Sequence, residues 1–430
     1  MSEVLPNGWG QCKFGNLFEI AIGGTPSRSE PKYWDSSKTS GNSWVSIKDL
    51  KGRYVQDTAE QITDIGVSNS NVKLITQGTV IMSFKLSVGK VAYAGKDLYT
   101  NEAIAAFKPT TDQIDVDYFY HGLHFWDLLS DIDQAVKGVT LNKEKLKNID
   151  ALLPPLPEQR KIAEILTSVD TVIERTQAQI DKLKAVKTGM MQELLSPTPE
   201  NYRTGDGSNT AFKDSPLGLI PEGWEIETLE TQLASTKYPM RSGPFGSALL
   251  KNELVPKGHP YLGIDNVHVE HFESTYRRYV SDEKFAELKR YAVFEGDVMI
   301  TIMGTVGRSC VVPRGVGKAL SSKHVWTMTF DQSKYLSVLA CWQLNYATWV
   351  QEQFRNESQG GVMESISSKT LKNLLLPIPP IAEQLKIAKA HNTISRTIEF
   401  RLAQLEQAQR LKKALMQDLL TGKVRVTVDS

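Results

Sequence analysis

The residue patterns of several catalytic sites can be tested directly against this chain. A methyltransferase that acts on an amino group needs Asn or Asp before a Pro-Pro pair and an aromatic residue after it. The pairs Pro154-Pro155 and Pro379-Pro380 are followed by Leu156 and Ile381 instead. Because proline cannot sit inside a helix, both pairs predict extended segments that lead into helices, not a methyltransferase site.

Nucleotide and metal motifs fail the same test. A P-loop needs four residues between its first glycine and a Gly-Lys pair that is followed by Ser or Thr. The run from Gly89 has five residues before Gly95-Lys96, and Asp97 follows. The seven histidines include no HExxH motif, so no metal ligand is predicted. These patterns argue against an enzyme.

Glycine-rich loops carry basic and hydroxyl-bearing residues that could contact a nucleic acid. Phosphates are bound by Lys, Arg, hydroxyls and backbone amides, and bases are read by loop side chains that reach a groove. In the first half the candidates are Thr25, Ser27, Arg28, Lys85, Ser87, Gly89 and Lys90, where Gly89 allows close backbone approach. In the second half they are Lys237, Arg241, Ser242, Thr305, Arg308, Ser322, Lys323 and His324. Each alone could equally be a solvated surface residue, so only their grouping on one face would indicate binding.

Composition sets the scale of the fold. A chain of 430 residues is too long for one ordinary core, so two to three domains are expected. Hydrophobic residues make up 40% and charged residues 23%, which is typical of a soluble globular protein. The net charge of +1 requires a nucleic-acid binder to concentrate its basic residues on one face.

The cysteines and the N-terminus indicate a cellular compartment. Cys12, Cys310 and Cys341 have no metal-ligand spacing and are expected to be reduced thiols. The sequence opens without the basic and apolar regions of a secretory signal. A cytoplasmic location is therefore expected.

One segment of the chain occurs twice. Residues 146–195 match residues 371–420, a shift of 225 (371 minus 146), at 19 of 50 positions without a gap. The identities include Leu-Lys-Asn, Pro-Pro, Glu-Gln and Lys-Ile-Ala in the same order. A repeat of this kind fixes the organisation of the chain before any single residue is considered.

Each copy of the repeat predicts a long helix with a heptad seam. From Glu158 onward the apolar or nearly apolar positions alternate in steps of four and three. The first seam is Ile162, Leu166, Val169, Ile173, Thr176, Ile180, Leu183, Lys187, Met190 and Leu194. The second is Ile387, His391, Ile394, Ile398, Arg401, Leu405, Ala408, Lys412, Leu415 and Leu419. Lys187 and Lys412 occupy matching positions, where each either fixes the helix register or merely extends its ammonium group to water.

The remaining chain divides around these helices. Residues 196–219 are rich in Pro, Gly, Ser, Asn and Asp and predict a linker. After it, Pro221-Glu222-Gly223-Trp224 echoes Pro6-Asn7-Gly8-Trp9 near the start. We therefore divide the chain into a globule at 1–150, a helix at 151–195, the linker, a globule at 220–376 and a helix at 377–430. Tyr33-Trp34, in a polar loop of the first globule, favours loop packing over base stacking.

This order predicts an α+β protein with a pseudo-twofold internal repeat. Two α/β globules are joined by two long helices, which most simply pair as an antiparallel coiled coil. Two similar globules on a rigid spacer suit the recognition of two features a fixed distance apart. DNA is the ligand for which such spacing matters most, because half-sites are separated by the helical pitch.

The duplicated Leu-Lys-Asn, Pro-Pro-x-x-Glu-Gln and Lys-Ile-Ala pattern resembles the specificity subunit of type I restriction-modification enzymes. Gly23-Gly24-Thr25-Pro26-Ser27 with Tyr33-Trp34, Ser242 to Gly246, and Met303 to Arg308 are similar to segments of target-recognition domains in that family. The resemblance covers essentially the whole chain. It implies that residues 1–150 and 220–376 are target-recognition domains and that the two helices are spacers.

The resemblance also implies partners and a division of labour. Each recognition domain reads half of a bipartite double-stranded DNA target, and the helices set the gap and dock two modification subunits. Those subunits use S-adenosylmethionine to methylate adenine at N6, and motor-nuclease subunits that use ATP and Mg²⁺ complete the restriction enzyme. This chain is expected to bind no cofactor or metal and to catalyse nothing. Two alternatives stay open: a coiled-coil scaffold with two protein-binding domains, and the recognition subunit of another restriction system.

Overall fold

The computed structural model describes residues 5–129, 141–199, 211–357 and 365–428. The chain forms two compact units, and each contains parts of both long helices. Unit 1 is built from the chain up to Ala178 and from Leu402 onward, and unit 2 runs from Gln179 to Arg401. Among the described residues, no helix has both the length and the apolar character of a membrane span.

Unit 1 is a mixed globule of short strands. Its strands are β1 (Gly10–Lys13), β2 (Phe18–Ile22), β3 (Asn42–Val45), β4 (Tyr54–Val55), β5 (Glu60–Ile62), β6 (Val80–Ser83), β7 (Val91–Ala94), β8 (Tyr99–Thr100), β9 (Ile104–Pro109) and β10 (Asp150–Leu153). Its short helices are α1 (Phe14–Leu17), α2 (Asp64–Ser68), α3 (Val116–Leu123) and α4 (Lys143–Asn148). The first long helix, α5 (Leu156–Leu195), begins in this unit.

Two main sheets form unit 1. The five-stranded sheet has the order β2-β9-β6-β7-β4, and the three-stranded sheet has the order β5-β3-β8. A separate antiparallel pair of β1 and β10 precedes the long helix. Aromatic side chains fill the core between α1, α3 and the larger sheet, where the rings of Phe14 and Phe119 lie 5.1 Å apart, edge to face. The seam residues Ile162 and Leu166 of α5 join this core, which anchors the helix to the globule.

Unit 2 repeats this design. Its strands are β11 (Phe212–Ser215), β12 (Gly218–Pro221), β13 (Glu225–Thr228), β14 (Met240–Ser242), β15 (His259–Leu262), β16 (Tyr279–Val280), β17 (Ala292–Val293), β18 (Val298–Thr301), β19 (Ser309–Val311), β20 (Ala319–Ser321), β21 (Val325–Met328) and β22 (Leu375–Ile378). Its helices are α6 (Asp282–Glu287), α7 (Ser337–Tyr346), α8 (Thr348–Glu357) and α9 (Ser368–Asn373). The second long helix, α10 (Ile381–Leu419), begins here and ends in unit 1.

Most strands of the sheets in one unit have a counterpart in the other, although β4 of unit 1 has none. In unit 2 the sheet β14-β21-β18-β19 matches β2-β9-β6-β7, and β16-β15-β20-β17 matches β5-β3-β8 with one strand more. The match includes a parallel contact in each smaller sheet, β3 with β8 and β15 with β20. Pairing of β13 with β22 before α10 likewise repeats the pairing of β1 with β10 before α5. The predicted α+β fold with an internal repeat is therefore confirmed.

The two long helices are antiparallel within each unit. In unit 1, Ile162 near the start of α5 shares a hydrophobic core with Leu419 at the end of α10. In unit 2, Leu195 at the end of α5 shares a core with Ile387 near the start of α10. Every residue of both predicted seams is buried or partly buried, whereas most positions between them are exposed. The heptad assignment is therefore confirmed.

The first long helix begins earlier than the proline pattern predicted. The predicted start at Glu158 is wrong by two residues, because α5 begins at Leu156. Pro157 lies in the first turn, where a backbone N–H has no acceptor within the helix and proline therefore costs nothing.

Part of the predicted linker is folded. Within residues 211–219, β11 pairs with β12 in an antiparallel hairpin that continues to Pro221. The Ser215 hydroxyl donates to the carbonyl of Gly218 at 2.6 Å and closes its turn. The hairpin was missed because Asp, Ser and Pro within it weaken the alternating pattern of a strand. Residues 200–210 of the predicted linker lie outside the described residues.

The Glu-Gln pair of the repeat fastens the start of α5 to unit 1. Trp9 donates its indole N–H to Oε2 of Glu158 at 3.2 Å. The side-chain amide of Gln159 donates to the carbonyl of Pro154 at 2.9 Å, and its oxygen accepts the backbone N–H of Asp115 at 2.8 Å. Glu158 and Gln159 are almost fully buried, so these bonds satisfy groups that have no access to water.

Unit 2 contains the same clamp. Trp224 donates its indole N–H to Oε2 of Glu383 at 3.1 Å. Gln384 donates to the carbonyl of Pro379 at 2.8 Å and accepts the backbone N–H of Leu336 at 2.9 Å. The Glu-Gln identities and the two Gly-Trp segments therefore belong to one structural device that sets where each long helix begins.

Candidate nucleic-acid interface

A seven-residue turn between β6 and β7 carries four of the predicted contact residues of unit 1. The turn is braced from inside by Ser83, whose hydroxyl donates to the carbonyl of Ser87. The backbone N–H of Lys90 donates back to the Ser83 hydroxyl at 3.1 Å. Gly89 adopts a φ of +88°, which a residue with a side chain rarely takes. The conformation of the turn therefore requires glycine at position 89.

Unit 2 builds the same turn between β18 and β19. The Thr301 hydroxyl donates to the carbonyl of Thr305, and the backbone N–H of Arg308 donates to the Thr301 hydroxyl at 3.1 Å. Gly307 has a φ of +89°, as Gly89 does in unit 1. Both turns share one framework and differ in the exposed side chains that it presents.

In each unit, the braced turn and one glycine lie at the same end of the larger sheet. The backbone of that glycine packs directly against the end of a strand of the smaller sheet, a contact called the strand crossing. A Cβ on Gly23, directly after β2, would lie 2.0 Å from the carbonyl oxygen of Thr100 at the end of β8. A Cβ on Gly243, directly after β14, would lie 2.0 Å from the carbonyl oxygen of Ser321 at the end of β20. Only glycine allows these backbones to touch. This end of each larger sheet, where β2 and β6 or β14 and β18 terminate, is called the tip end below.

The predicted residues of unit 1 meet at the tip end around Glu102. The Thr25 hydroxyl donates to Oε2 of Glu102. That hydrogen bond, together with the nearby positive charges of Lys85 and Arg28, holds the pKa of the Glu102 carboxyl below its ordinary value despite partial burial. One carboxylate therefore binds Thr25 and lies near two further candidates, Lys85 and Arg28. Ser27, Ser87 and Lys90 are exposed beside them in the same two loops.

Arg28 is held in a fixed orientation. Its guanidinium forms two hydrogen bonds with Glu60, at 2.5 Å and 3.2 Å, and lies 3.7 Å above the ring of Trp34. Lys48 approaches the same carboxylate at 3.2 Å. The Trp34 ring packs edge to face on Trp44 with centroids 5.0 Å apart, which confirms loop packing for Trp34. A guanidinium that stacks on an aromatic ring and donates two hydrogen bonds to one carboxylate is restricted to one geometry.

At the tip end of unit 2, Lys323 and His324 lie between β20 and β21. The carbonyl of His324 accepts the backbone N–H of Ile302 at 3.0 Å, which ties this segment to the braced turn. Partial burial and the positive charges of Lys323 and Arg278 lower the pKa of His324, so its neutral form is favoured. Arg278 pairs in turn with Asp265. Three cationic or potentially cationic groups therefore gather beside Thr305 and Arg308.

Three of the predicted residues are not on the surface. Arg241 is buried, and its guanidinium pairs with Asp297 and donates to the carbonyl of Ala292. Ser242 and Ser322 are also buried, because the crossing at Gly243 packs both against neighbouring backbone. Their prediction as exposed contact residues is wrong. Sequence alone could not tell a buried arginine from a solvated one, since its partner Asp297 lies 56 residues away.

Lys237 is exposed but lies away from the other candidates. It precedes Met240, which pairs with Met328, and Met328 pairs with Val298. These pairs lie at the end of the sheet opposite the braced turn. The braced turn follows the other end, where Thr301 pairs with Val325. Its grouping with the other candidates is therefore wrong.

Sequence reasoning overlooked two cationic residues near the tip ends. Lys48 approaches Glu60 beside Arg28, and Arg278 lies beside Lys323 and His324. The Arg277-Arg278 pair was a visible signal, but nothing in its spacing connects it with Lys323. In the described ranges, no three His, Cys, Asp or Glu side chains are grouped so that they could hold a metal ion.

Comparison with known proteins shows sequence relatives along most of the chain. The MjaX specificity subunit of a type I restriction enzyme from Methanocaldococcus jannaschii is 28% identical over 348 residues, covering 79% of this chain and 76% of that protein. The MjaVIII specificity subunit of the same organism is 24% identical and covers 88% of each. The EcoBI specificity subunit of Escherichia coli is 23% identical over 67% of this chain and 60% of its own length.

Solved structures share the fold. The S subunit of a type I restriction-modification system from M. genitalium superposes with a TM-score of 0.58 at 13% identity, covering 97% of both chains. A chain from a structural study of the assembly and conformational transition of a type I restriction-modification system gives 0.56 at 14% identity, over 98% of this chain and all of that one. The sequence model described as the type I restriction modification DNA specificity domain matches residues 6–185 and 246–410. Because that match spans well over half of the chain, the protein belongs to the family of type I restriction-modification specificity subunits.

Proposed function

We propose that this chain recognises a bipartite DNA target for a type I restriction-modification complex and that the tip end of each unit contacts one half of the target. The observation that carries the proposal is the pair of braced turns, which have one framework and different exposed residues. A constant framework positions a loop, and its variable side chains give different sequence preferences.

The contact residues that we propose are those that lie exposed or partly exposed at the tip ends. In unit 1 they are Thr25, Ser27, Arg28, Lys85, Ser87 and Lys90, with Gly89 allowing close approach. In unit 2 they are Arg308, Lys323 and His324, to which we add Arg278. Thr305 is left out, because its hydroxyl oxygen is buried. Lysine and arginine at loop ends suit phosphate contacts, and the hydroxyl groups suit either phosphates or base edges.

The chemistry belongs to partner subunits in this proposal. Two modification subunits methylate adenine at N6 with S-adenosylmethionine, and restriction subunits supply ATP- and Mg²⁺-dependent translocation and cleavage. The chain itself binds no cofactor and acts in the cytoplasm with these partners. Support comes from the relatives, which are specificity subunits by name, and from the missing catalytic motifs of this sequence.

The proposal is tested by mapping the target and then measuring preference for it. Methylated adenines in the genome of a host that carries the system give the bipartite sequence. The full chain, purified with its modification subunits, is then offered a labelled duplex with that sequence against unlabelled competitors in which one half-site is scrambled. Scrambling either half is expected to weaken competition by at least about tenfold. Equal competition by all duplexes would rule out sequence recognition.

Charge substitutions separate the tip ends from the rest of each unit. Lys90→Ala and Lys323→Ala are each expected to weaken binding and to reduce the slope of log K against log salt by about one. Lys108 of unit 1 and Lys237 of unit 2 are exposed lysines, and each lies at the end of its larger sheet opposite the tip end. Their substitution by alanine provides the matched controls. Tight binding that salt leaves unchanged would favour a protein-binding scaffold. Modification partners of another restriction class would instead assign the chain to that system.

A further inference from the structure

The braced turn of unit 1 exposes a leucine in an unfavourable backbone conformation. Leu86 is 89% exposed, the highest value among the large hydrophobic side chains that the structure describes. Its φ of +64° lies in the left-handed region, which disfavours residues with a Cβ. The equivalent position in unit 2, three residues after the bracing hydroxyl, is Gly304 with a φ of +73°. A glycine would therefore build this turn without either cost, so the leucine side chain itself needs an explanation.

The turn holds Leu86 in place. Backbone hydrogen bonds from Ser83 to Lys90 and from Gly89 to Ser83, both 2.9 Å, close the turn on both sides. The hydroxyl of Ser83 fills its interior, and Ser83 is fully buried. A side chain on such a framework loses little conformational entropy when it enters a ligand.

The surroundings of Leu86 are cationic. Lys85 precedes it and lies close enough to Glu102 to influence that carboxyl, and Lys90 is exposed at the end of the turn. The turn of unit 2 also carries an exposed apolar residue, Met303, which is 48% exposed, and ends at the exposed Arg308. An apolar tip between basic residues does not suit a hydrophobic protein pocket, because the ammonium groups would have to be desolvated with it.

We infer that Leu86 is a wedge that inserts between adjacent base pairs of the DNA held by unit 1. Apolar side chains that partly unstack a base step are used by proteins that bend DNA, and flanking Lys and Arg hold the phosphates on either side. Lys85 and Lys90 are placed to serve as those flanking cations. Opening a step favours flexible pyrimidine–purine sequences, so Leu86 contributes to specificity without a hydrogen bond to any base. This inference rests on the proposed function.

The test measures base unstacking in the complex of the full chain with its modification subunits. The probe is a duplex that carries the target mapped by methylation. Permanganate oxidises thymines that have lost stacking, and 2-aminopurine at adenine positions gains fluorescence when unstacked. The modification subunits flip the target adenines, which gives signals at those adenines and at the thymines paired with them. The wild-type complex is expected to show, in addition, one further reactive step in the half-site bound by unit 1. Leu86→Ala and Leu86→Gly are expected to abolish that signal and to weaken binding by about 5- to 30-fold.

The controls separate a wedge from other roles of Leu86. Leu86→Gly relieves the backbone and is expected to unfold at or above the wild-type temperature, so its loss of signal cannot result from misfolding. Leu74→Ala removes another exposed leucine of unit 1 and is expected to behave as wild type.

Each remaining outcome is decisive. An unstacking pattern that Leu86→Ala leaves unchanged overturns the inference. It is also overturned if replacing thymine by uracil reproduces the loss of affinity without any further reactive step, which indicates a methyl contact. Weaker assembly with the modification subunits in the absence of DNA would place Leu86 in a protein interface instead. Failure of the wild-type complex to prefer its target would refute the proposed function, and that result appears before any variant is made.

Discussion

Lys412 of α10 places its ammonium nitrogen 2.6 Å from Oδ1 of Asp170 on α5. Both side chains are largely buried, and His121 of α3 approaches the other carboxylate oxygen at 3.8 Å. The lysine at the matching repeat position, Lys187, pairs with Glu270 in unit 2. Neither seam lysine merely extends to water, so the interpretation that they fix helix register is favoured over the alternative of snorkelling.

Removing this lysine tests that interpretation. Lys412→Ala leaves the Asp170 carboxylate partly buried without its ammonium partner, so we expect a loss of about 2–3 kcal/mol in the free energy of unfolding of unit 1. Lys413→Ala, at the exposed neighbouring position, is the matched control. In urea unfolding, the double variant Asp170→Asn, Lys412→Met should lose less than the sum of the single changes. Equal stability of the Lys412→Ala and Lys413→Ala variants would return Lys412 to a snorkelling role.

Glu270 connects both long helices to a turn of unit 2. Its Oε2 accepts hydrogen bonds from Lys187 of α5 and from Nε2 of His391 of α10, the latter at 3.0 Å. Burial opposes the charge of this carboxyl, but the hydrogen bonds from His391 and Lys187 outweigh it and lower its pKa from 4.5 to about 2. Glu270 also adopts a φ of +58°, so the turn is bent to present it.

This pKa predicts how stability depends on pH. Because the folded-state pKa is depressed, the stabilisation is fully present above about pH 4.5 and is lost as the pH falls towards 2. The full effect is on the order of 3 kcal/mol. Glu270→Gln should unfold more easily at pH 7 and should show a shallower loss of stability between pH 4.5 and 2. Glu222→Gln, at an exposed position of the same unit, is the control, and parallel profiles for the two variants would contradict the prediction.

Some features of this fold could be predicted from the sequence and others could not. The difference lies in the residues on which each feature depends. The long helices and their seams could be predicted, because heptad spacing is local and was present twice. The hairpin of β11 and β12 could not, since its strands are short and polar. The clamp of Trp9 on Glu158 joins residues 149 positions apart, so the repeat showed that both ends mattered but not that they meet.

The residues of the candidate interface also include some that could be predicted from the sequence and some that could not. Gly89 was expected from the sequence to allow close backbone approach, and the structure shows that its positive φ also closes a turn. The burial of Arg241 depends on Asp297 in another strand, and the separation of Lys237 from the tip end depends on strand register. Neither is encoded in residue type or local spacing.

The glycines at the two strand crossings provide a sharp test of the tip-end geometry. Gly23→Ala and Gly243→Ala would each place a methyl group 2.0 Å from a backbone carbonyl oxygen. Since backbone cannot move aside as a flexible side chain can, we expect a loss of roughly 3 kcal/mol or more, or failure to fold. Gly52→Ala and Gly223→Ala meet no atom within 4 Å and are the controls. Thermal unfolding compares the pairs, and wild-type stability of Gly243→Ala would show that the crossing is looser than described.

The last prediction concerns the spacing role that we propose for the long helices. One added heptad after Leu183 in α5, matched by one after Ile394 in α10, lengthens the helix pair by about 10 Å and keeps both seams in phase. Since base pairs are 3.4 Å apart, the preferred gap between the half-sites should grow by about three base pairs. Methylation mapping in cells that carry the double insertion measures the gap directly. An insertion in α5 alone puts the antiparallel seams out of register and should destabilise the protein without defining a new gap. If the double insertion kept the original gap at full methylation, the helices would not set the spacing. A longer gap with both half-sites unchanged would show that spacing and sequence reading are separate functions.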